Sequence, residues 1–425
     1  MNLFSHLLKI EGIMHQGKTT IEKVVGIKSG FTTLLLLLFV CLSPMAAIVM
    51  APSLPKIQQH FAHVPHIEYL TPIALTIPGL VMAIVSPLIG FLADKFGRKK
   101  LLILSTVAYG IVGLAPMFLD QFYLILISRV ILGLFEAVVL TVSTTLIGDY
   151  YSPTLRQRYL ALQVTAASTS AILFFALGGY LGGISWRLAF IVYAVPLIFA
   201  VLGQMLLWEP KIRRSKDLHL DTAHQDDAVK FRPNFMLAIW ITAFIAAVSF
   251  MILQIQIPYL LNSIGESSPK TAGNIAALST VFIVLGTFAV QYMIKKSTPM
   301  SLNLLIGFGL IGISFMLLAT AQSAQQVLIY AIINSFGSGI LLPSVTFWNM
   351  RHLPQEKRGL GTGIWNSFYN FGMFSSPILI VYLNGFTGSL KMTLAQLGPL
   401  LLAFAVFCML FDLFRHLIVK AKLTA

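Results

Sequence analysis

The feature that most constrains this chain is the repeated alternation of long apolar runs with short polar connections. A helix needs about 20 apolar residues to cross the hydrocarbon core of a bilayer, and twelve runs near that length follow one another between residues 31 and 418. Apolar residues make up 57% of the 425 residues and charged residues only 10%, against about 25% charged in soluble domains. The sequence therefore predicts an all-α integral membrane protein with twelve transmembrane helices.

The predicted spans fall into two groups of six. The first group covers residues 31–53, 70–93, 101–119, 122–147, 159–182 and 186–208, and the second covers 234–261, 273–294, 302–320, 327–348, 359–383 and 394–418. This divides the chain into an N-terminal segment (1–30), a six-helix bundle (31–208), a linker (209–233), a second bundle (234–418) and a tail (419–425).

The two bundles show a weak internal sequence repeat. Pro153 with Arg156 follows the fourth span, and Pro354 with Arg358 follows the tenth. Parallel repeats of this kind are typical of transporters in which one half moves against the other.

Basic residues mark one side of the predicted membrane protein. Of the 29 Lys and Arg residues, 24 fall on the side that holds both termini and the linker. By the positive-inside rule both termini are expected in the cytoplasm, with the protein in the inner membrane of a cell. The net charge of +14 lies in short tracts between apolar runs, which favours lipid head groups as partners and not nucleic acid. The two cysteines, Cys41 and Cys408, exclude a disulfide framework.

A compact charged loop follows the second span and reads GFLADKFGRKK from Gly90 to Lys100. An ordinary basic loop would explain its four cations but neither its carboxylate nor its glycines. The loop resembles the signature of the major facilitator superfamily, G-x-L-x-D-(R/K)-x-G-(R/K)-(R/K), at every position. That resemblance implies two pseudo-symmetric six-helix bundles and transport by alternating access. It also implies a conformational latch built from Gly90, Asp94, Lys95, Gly97, Arg98 and Asp149.

Helix polarity supports this latch. Asp94 is expected near the positive N-terminal end of the eleventh span, where a carboxylate gains about 0.3–1 kcal/mol. Asp149 ends the fourth span, where the helix dipole disfavours an anion, so Arg98 is its expected partner. The alternative is that Asp149 is simply solvated at the membrane surface, since exposed ion pairs are worth little.

Two charges lie deep inside the fourth span. Arg129 opens the pattern R-x-x-x-G, which resembles a second motif of proton-coupled family members, although Leu132 stands where Gln is usual; Glu136 follows it. A charge at this depth costs at least about 2.5–3.5 kcal/mol, so such residues are candidates for function. Seven residues separate them by about 10.5 Å along the axis, which argues against a salt bridge. We expect Glu136, with Arg129, to carry a coupling proton and no other cofactor; the alternative is a permanently hydrogen-bonded structural Glu.

The fifth span contains a cluster of glycines, Gly178, Gly179, Gly182 and Gly183. They resemble the antiporter motif g-x-x-x-G-P-x-x-G-G, with Phe174 in place of the first Gly and Gly179 in place of the Pro. Small residues let helices approach closely, so plain packing explains the cluster equally well.

Polar and aromatic residues inside other spans are candidates for the substrate cavity. They are Gln163, Gln254, Gln256, Asn334, Trp365, Asn366, Tyr369 and Asn370; hydrogen bonding between helices is the alternative role. His60, His63 and His66 share a three-residue spacing that could ligate zinc, but Pro65 interrupts it, and we predict no metal.

These patterns favour a monomeric secondary transporter that resembles the drug:proton antiporter branch of the superfamily and exports small amphipathic or organic compounds. Transport of a defined metabolite, such as a siderophore or a sugar, is the alternative on the same fold. A membrane enzyme would need a catalytic cluster, and ATP-driven transport would need a phosphate-binding loop; the sequence shows neither. A channel fits less well than a carrier with a buried carboxylate.

Overall fold

A computed structural model describes residues 30–210, 232–354 and 358–424. Within these ranges the chain forms twelve long helices and no strand. They are α1 (30–48), α2 (Ile67–Phe96), α3 (Arg98–Leu114), α4 (Phe122–Tyr150), α5 (Pro153–Ile184), α6 (Val195–Leu206), α7 (Pro233–Ser263), α8 (Pro269–Lys295), α9 (Met300–Ala319), α10 (Ala324–His352), α11 (Arg358–Thr387) and α12 (Leu390–Thr424).

Shorter elements modify two of the predicted spans. After α1 the chain continues through a 3-10 turn, Ala51–Ser53, and a short helix, Leu54–His60. Pro52 and Pro55 lie here, and proline is tolerated in the first turn of a helix but not in its interior. A 3-10 segment, Leu188–Ala194, precedes α6 and completes an apolar stretch of 19 residues.

Each predicted span contains one long helix, and the all-α membrane fold is confirmed. Several helices run past the predicted limits, such as α5, which begins at Pro153 and not at residue 159, and α12, which continues beyond residue 418 to Thr424. Apolar content marks the part of a helix in the membrane, whereas backbone hydrogen bonding continues into the polar ends. Residues 1–29 and most of the predicted linker, 211–231, lie outside the described residues.

Eleven helical stretches of the described chain are long and apolar enough to cross a membrane. The helix α11 is not one of them, because Asn366, Asn370, Ser375 and Ser376 interrupt its apolar residues. Its 30 residues nevertheless extend about 45 Å at 1.5 Å per residue, enough to span a bilayer. Polar residues in a spanning helix belong on a surface that faces other helices or a cavity.

The helices α1–α6 and α7–α12 form two halves. The first half packs α4 against both α2 and α3; the second packs α7 on α11 and α9 on α12. Contacts between the halves run mainly through two helix pairs, α2 with α11 and α5 with α8, and residues 51–60 also contact α7. We call the face with the loops at 97, 151–152 and 296–299 the termini face, and the one with the loops at 61–66, 185–187 and 264–268 the opposite face.

Candidate functional site

Glu136 is a buried carboxylate in the middle of α4. Its side chain is 5% exposed, and Ser43 on α1 donates a hydrogen bond of 3.0 Å to Oε1. The second oxygen, Oε2, is buried and has no hydrogen-bond partner among the described residues. An uncompensated charge in an apolar interior is costly, so this carboxyl group needs either a proton or a cation.

Arg129 is fully buried two turns before Glu136. Its Nη1 donates to the hydroxyl of Tyr193 at 3.1 Å, and its Nη2 donates to the carbonyl of Gly113 at 3.4 Å. The guanidinium also lies 5.2 Å from the ring centre of Phe190, within the range of a cation–π contact. Arg129 therefore faces α3 and the segment before α6, and it forms no ion pair with Glu136.

The predicted latch lies at the termini face. Arg98 donates to the carboxylate of Asp149 in an ion pair between the start of α3 and the end of α4. Gly97 joins α2 to α3 with a φ of 87°, a backbone conformation that favours glycine. Lys95 lies over the ring of Phe96 at 5.6 Å. The side chain of Asp94 lies outside the described part, so its role stays a prediction; nothing described lies within 4 Å of a Cβ built on Gly90.

Glu209 joins this loop, although its position after the sixth span predicted a linker residue. Its carboxylate accepts hydrogen bonds from the backbone amides of Arg98, at 2.6 Å, and Lys99, at 2.9 Å. The first amides of a helix have no partner within the helix and carry a partial positive charge, so an anion there is stabilising. The sequence signal was a lone acid placed directly after the sixth span.

Aromatic contacts hold Glu209 in place. Trp208 stacks on Tyr150 with ring centres 4.0 Å apart, and the backbone amide of Trp208 donates to the Tyr150 hydroxyl at 3.1 Å. The ends of α4 and α6 are thereby tied together beside the charged loop.

The glycines of α5 lie where the halves meet at the opposite face. A Cβ on Gly179 would be 2.7 Å from both the Cα of Gly273 and the carbonyl oxygen of Pro269 on α8, and a Cβ on Gly178 would be 2.5 Å from the carbonyl oxygen of Val49. Atoms in proteins do not approach so closely, so these positions need glycine. The backbones of α5 and α8 touch, which closes this face along that pair.

The other two glycines of the cluster, Gly182 and Gly183, differ in how closely their neighbours approach. A Cβ on Gly182 would collide with the hydroxyl of Ser53, whereas one on Gly183 would lie 3.7 Å from the Cβ of Lys270, an ordinary contact.

The candidate cavity residues are spread over both halves. In the first half, Gln163 is buried and accepts from Thr144 at 3.5 Å. In the second half, Asn334 is buried and accepts from Ser338 at 3.5 Å, and Gln254 and Gln256 are buried on α7.

The remaining candidates share α11. Trp365 stacks on Tyr369 with ring centres 5.2 Å apart, and the Trp365 indole nitrogen is buried with no partner among the described residues. Asn370 donates to the carbonyl of Asn366 one turn earlier, at 2.9 Å. Its Oδ1 lies 4.0 Å from a Cβ built on Gly79 of α2, which places Asn370 between the halves.

His60 ends the short helix Leu54–His60, and His63 and His66 lie in the loop that follows it. His60 packs against Trp186 with ring centres 5.3 Å apart, while His66 lies 3.9 Å from Glu68. Among the residues that the structure describes, no group of three His, Cys, Asp or Glu side chains could hold a metal ion.

The family of the chain follows from its match to a family model. Residues 36–302 and 239–419 match the model of the Major Facilitator Superfamily. The chain belongs to this superfamily. It is therefore a multi-pass membrane transporter of small molecules and not an enzyme.

Relatives within the superfamily are distant and differ in substrate. The chain is 24% identical to multidrug resistance protein 1 of Bacillus subtilis (strain 168) over 304 residues, 71% of this chain and 77% of the relative. It is 30% identical to the D-xylose transporter of Levilactobacillus brevis over 140 residues, 32% of this chain and 30% of the relative.

A solved structure supports the same fold. The structure of a bacterial homologue of the human lysosomal transporter Spinster, in an inward-facing and occupied conformation, matches with a TM-score of 0.68 at 16% identity. The match covers 90% of this chain and 92% of that one.

Proposed function

We propose that this transporter exports small amphipathic organic compounds, cations among them, from the cytoplasm in exchange for protons. Glu136 is the observation that carries the proposal. It is a carboxyl group inside a spanning helix, with one oxygen unsatisfied and no ion-pair partner among the described residues. A carrier that exchanges one cation for another needs a negatively charged site whose charge either cation can neutralise.

Competition at Glu136 explains the coupling. When a cationic group comes close to the carboxylate, the proton is no longer needed to compensate its charge and leaves. When a proton binds, the attraction for the cation is lost. Each conformational change then carries one or the other, which is exchange.

Alternating access needs two faces that close in turn. In this structure α5 and α8 touch at the opposite face. If the termini lie in the cytoplasm, as the basic residues predict, the face that is closed along α5 and α8 is the external one. Asp94 and the Arg98–Asp149 pair then act at the cytoplasmic face of the inner membrane, within a single chain.

The name of the multidrug resistance relative agrees with efflux of amphipathic compounds. Transport of a sugar or another defined metabolite is the second candidate. The match to a D-xylose transporter favours it, as do the uncharged polar side chains of α7 and α10 such as Gln254 and Asn334.

Substrate-dependent proton movement in liposomes tests the proposal. Purified protein is reconstituted with a trapped pH-sensitive dye, and tetraphenylphosphonium or D-xylose is added to one side without a pH gradient. We expect the cation to drive protons in the opposite direction and D-xylose to drive none. Proton movement with D-xylose alone favours the metabolite transporter, and movement with neither overturns proton exchange for both compounds.

A further inference from the structure

A cavity of about 460 Å³ lies between the two halves at the opposite face. The first half contributes Gln58, Glu68 and Pro72, and the second contributes residues of α7, α11 and the start of α12. Cavities of about 300–1,000 Å³ are typical for drug-sized ligands. This cavity lies at the ends of its helices at the opposite face, whereas Glu136 lies in the middle of α4.

Gln256 is the feature that indicates a ligand. Its side chain is only 4% exposed and lines the cavity, where its amide is accessible and pairs with no other described residue. An amide that opens onto a cavity can both donate and accept a hydrogen bond there. A molecule in the cavity would supply the missing partner.

The charge of the cavity selects the class of ligand. Glu68 is the charged residue of its lining, and no Lys or Arg lines it. His66 lies beside the half-exposed Glu68, with Nδ1 and Oε1 3.9 Å apart, too long for a hydrogen bond. The carboxylate therefore attracts a cation from outside.

The rest of the wall is suited to an apolar body. Pro72, Val381 and Leu390 line it together with the ring of Tyr259. The hydroxyl of Tyr259 donates to Gln58 at 2.9 Å, so the halves are already joined at the edge of the cavity.

We propose that this cavity is a second binding site, for a small amphipathic organic cation, and that its occupant holds the opposite face closed. The cation lies against Glu68, a polar group pairs with Gln256, and the apolar body packs on Pro72 and Val381. Since these walls belong to different halves, they separate when the face opens, and the ligand binds the closed state more tightly. A cation here therefore slows transport without competing at Glu136.

Equilibrium binding of radiolabelled ethidium, an organic cation with two amino groups, to the purified full-length protein tests this. We expect a class of sites whose affinity falls about tenfold or more in Glu68→Gln and in Gln256→Leu, because each loses a hydrogen bond or charge toward the ligand. Asp120→Asn is the control, because Asp120 is an exposed acid of the same face that pairs with Arg187 and lies outside the cavity. It should bind as the parent does.

Two further measurements distinguish binding at the second site from the proposed proton exchange at Glu136. Glu136→Gln should retain the class of sites that Glu68→Gln loses, whatever happens to proton exchange. A cysteine introduced at Gly385, which lines the cavity, should be protected from a thiol reagent by the cation in a background without Cys41 and Cys408.

The proposal is overturned if ethidium does not bind, or if Glu68→Gln and Gln256→Leu bind it like the parent. It is also overturned if Asp120→Asn loses affinity as much as Glu68→Gln, because the attraction would then belong to the whole face. A variant that elutes as an aggregate is replaced by Val381→Phe, which fills the cavity and should abolish the same class of sites.

Discussion

The carboxylate of Glu209 accepts a hydrogen bond of 2.6 Å from the backbone amide of Arg98, 111 residues earlier in the chain. The same Arg98 pairs through its guanidinium with Asp149. One residue thus links the ends of α3, α4 and α6 at the termini face, with its backbone held by one acid and its side chain by another.

Removing the Glu209 carboxylate, which accepts from the first amides of α3, should destabilise the contact between these helix ends. We expect Glu209→Ala to lower the free energy of unfolding by about 1 kcal/mol, because two helix amides lose their acceptor, and to reduce transport. Glu209→Gln keeps one acceptor oxygen and should fall between the parent and Glu209→Ala. Thermal unfolding in detergent measures the first effect and uptake into liposomes the second. Unfolding temperatures equal to the parent's in both variants would contradict the capping role.

The Arg98–Asp149 pair predicts a rescue by charge exchange. Arg98→Asp and Asp149→Arg should each reduce transport, because each places two like charges together. The double variant should recover part of the loss, with a coupling energy of about 1 kcal/mol. Transport by the three variants at equal abundance measures it. A double variant no better than the worse single one would show that the two residues act independently.

The contact between Gly179 and Gly273 predicts a conformational effect of a single methyl group. Gly179→Ala should destabilise the closed opposite face by about 1–3 kcal/mol, because its Cβ would overlap backbone atoms of α8. Gly183→Ala is the control, since a Cβ there makes an ordinary contact. Distances between spin labels at Ile184 and Ser267 should lengthen in Gly179→Ala and not in Gly183→Ala. Unchanged distances in both variants would mean that the glycine contact does not set the closed state.

The distribution of basic residues predicts the orientation of the protein in the membrane. In a background without Cys41 and Cys408, a cysteine at residue 220 in the linker should be protected from an impermeant thiol reagent in intact cells. A cysteine at Pro65 should react. The reverse pattern would place the termini outside and overturn the direction of transport proposed above.

Much of the fold could be predicted because the membrane simplifies the pattern. A spanning helix must be apolar over about 20 residues, so twelve helices were visible, and charges as rare as Arg129 and Glu136 stood out against them. The break after α1 was not predicted, although Pro52 and Pro55 give it a local cause.

The contacts between distant segments could not be predicted in the same way. Ser43 lies 93 residues from Glu136, and no local pattern shows that α1 supplies its hydrogen-bond donor. The glycines of α5 indicated close packing, but only the assembled helices show that Gly273 is the partner of Gly179. The sequence placed Gln256 inside a span, whereas its position beside Glu68 depends on how the halves meet.

The most direct test of the account is proton movement by Glu136→Gln in liposomes. A tetraphenylphosphonium gradient is imposed, and both proton flux and exchange of labelled for unlabelled cation are followed in the parent, in Glu136→Gln and in the control Asp120→Asn. Since Gln mimics the protonated carboxyl group but cannot release a proton, we expect proton flux to fall to that of empty liposomes in Glu136→Gln alone. Proton flux in Glu136→Gln equal to the parent's would contradict the account, because the coupling proton would then be carried elsewhere.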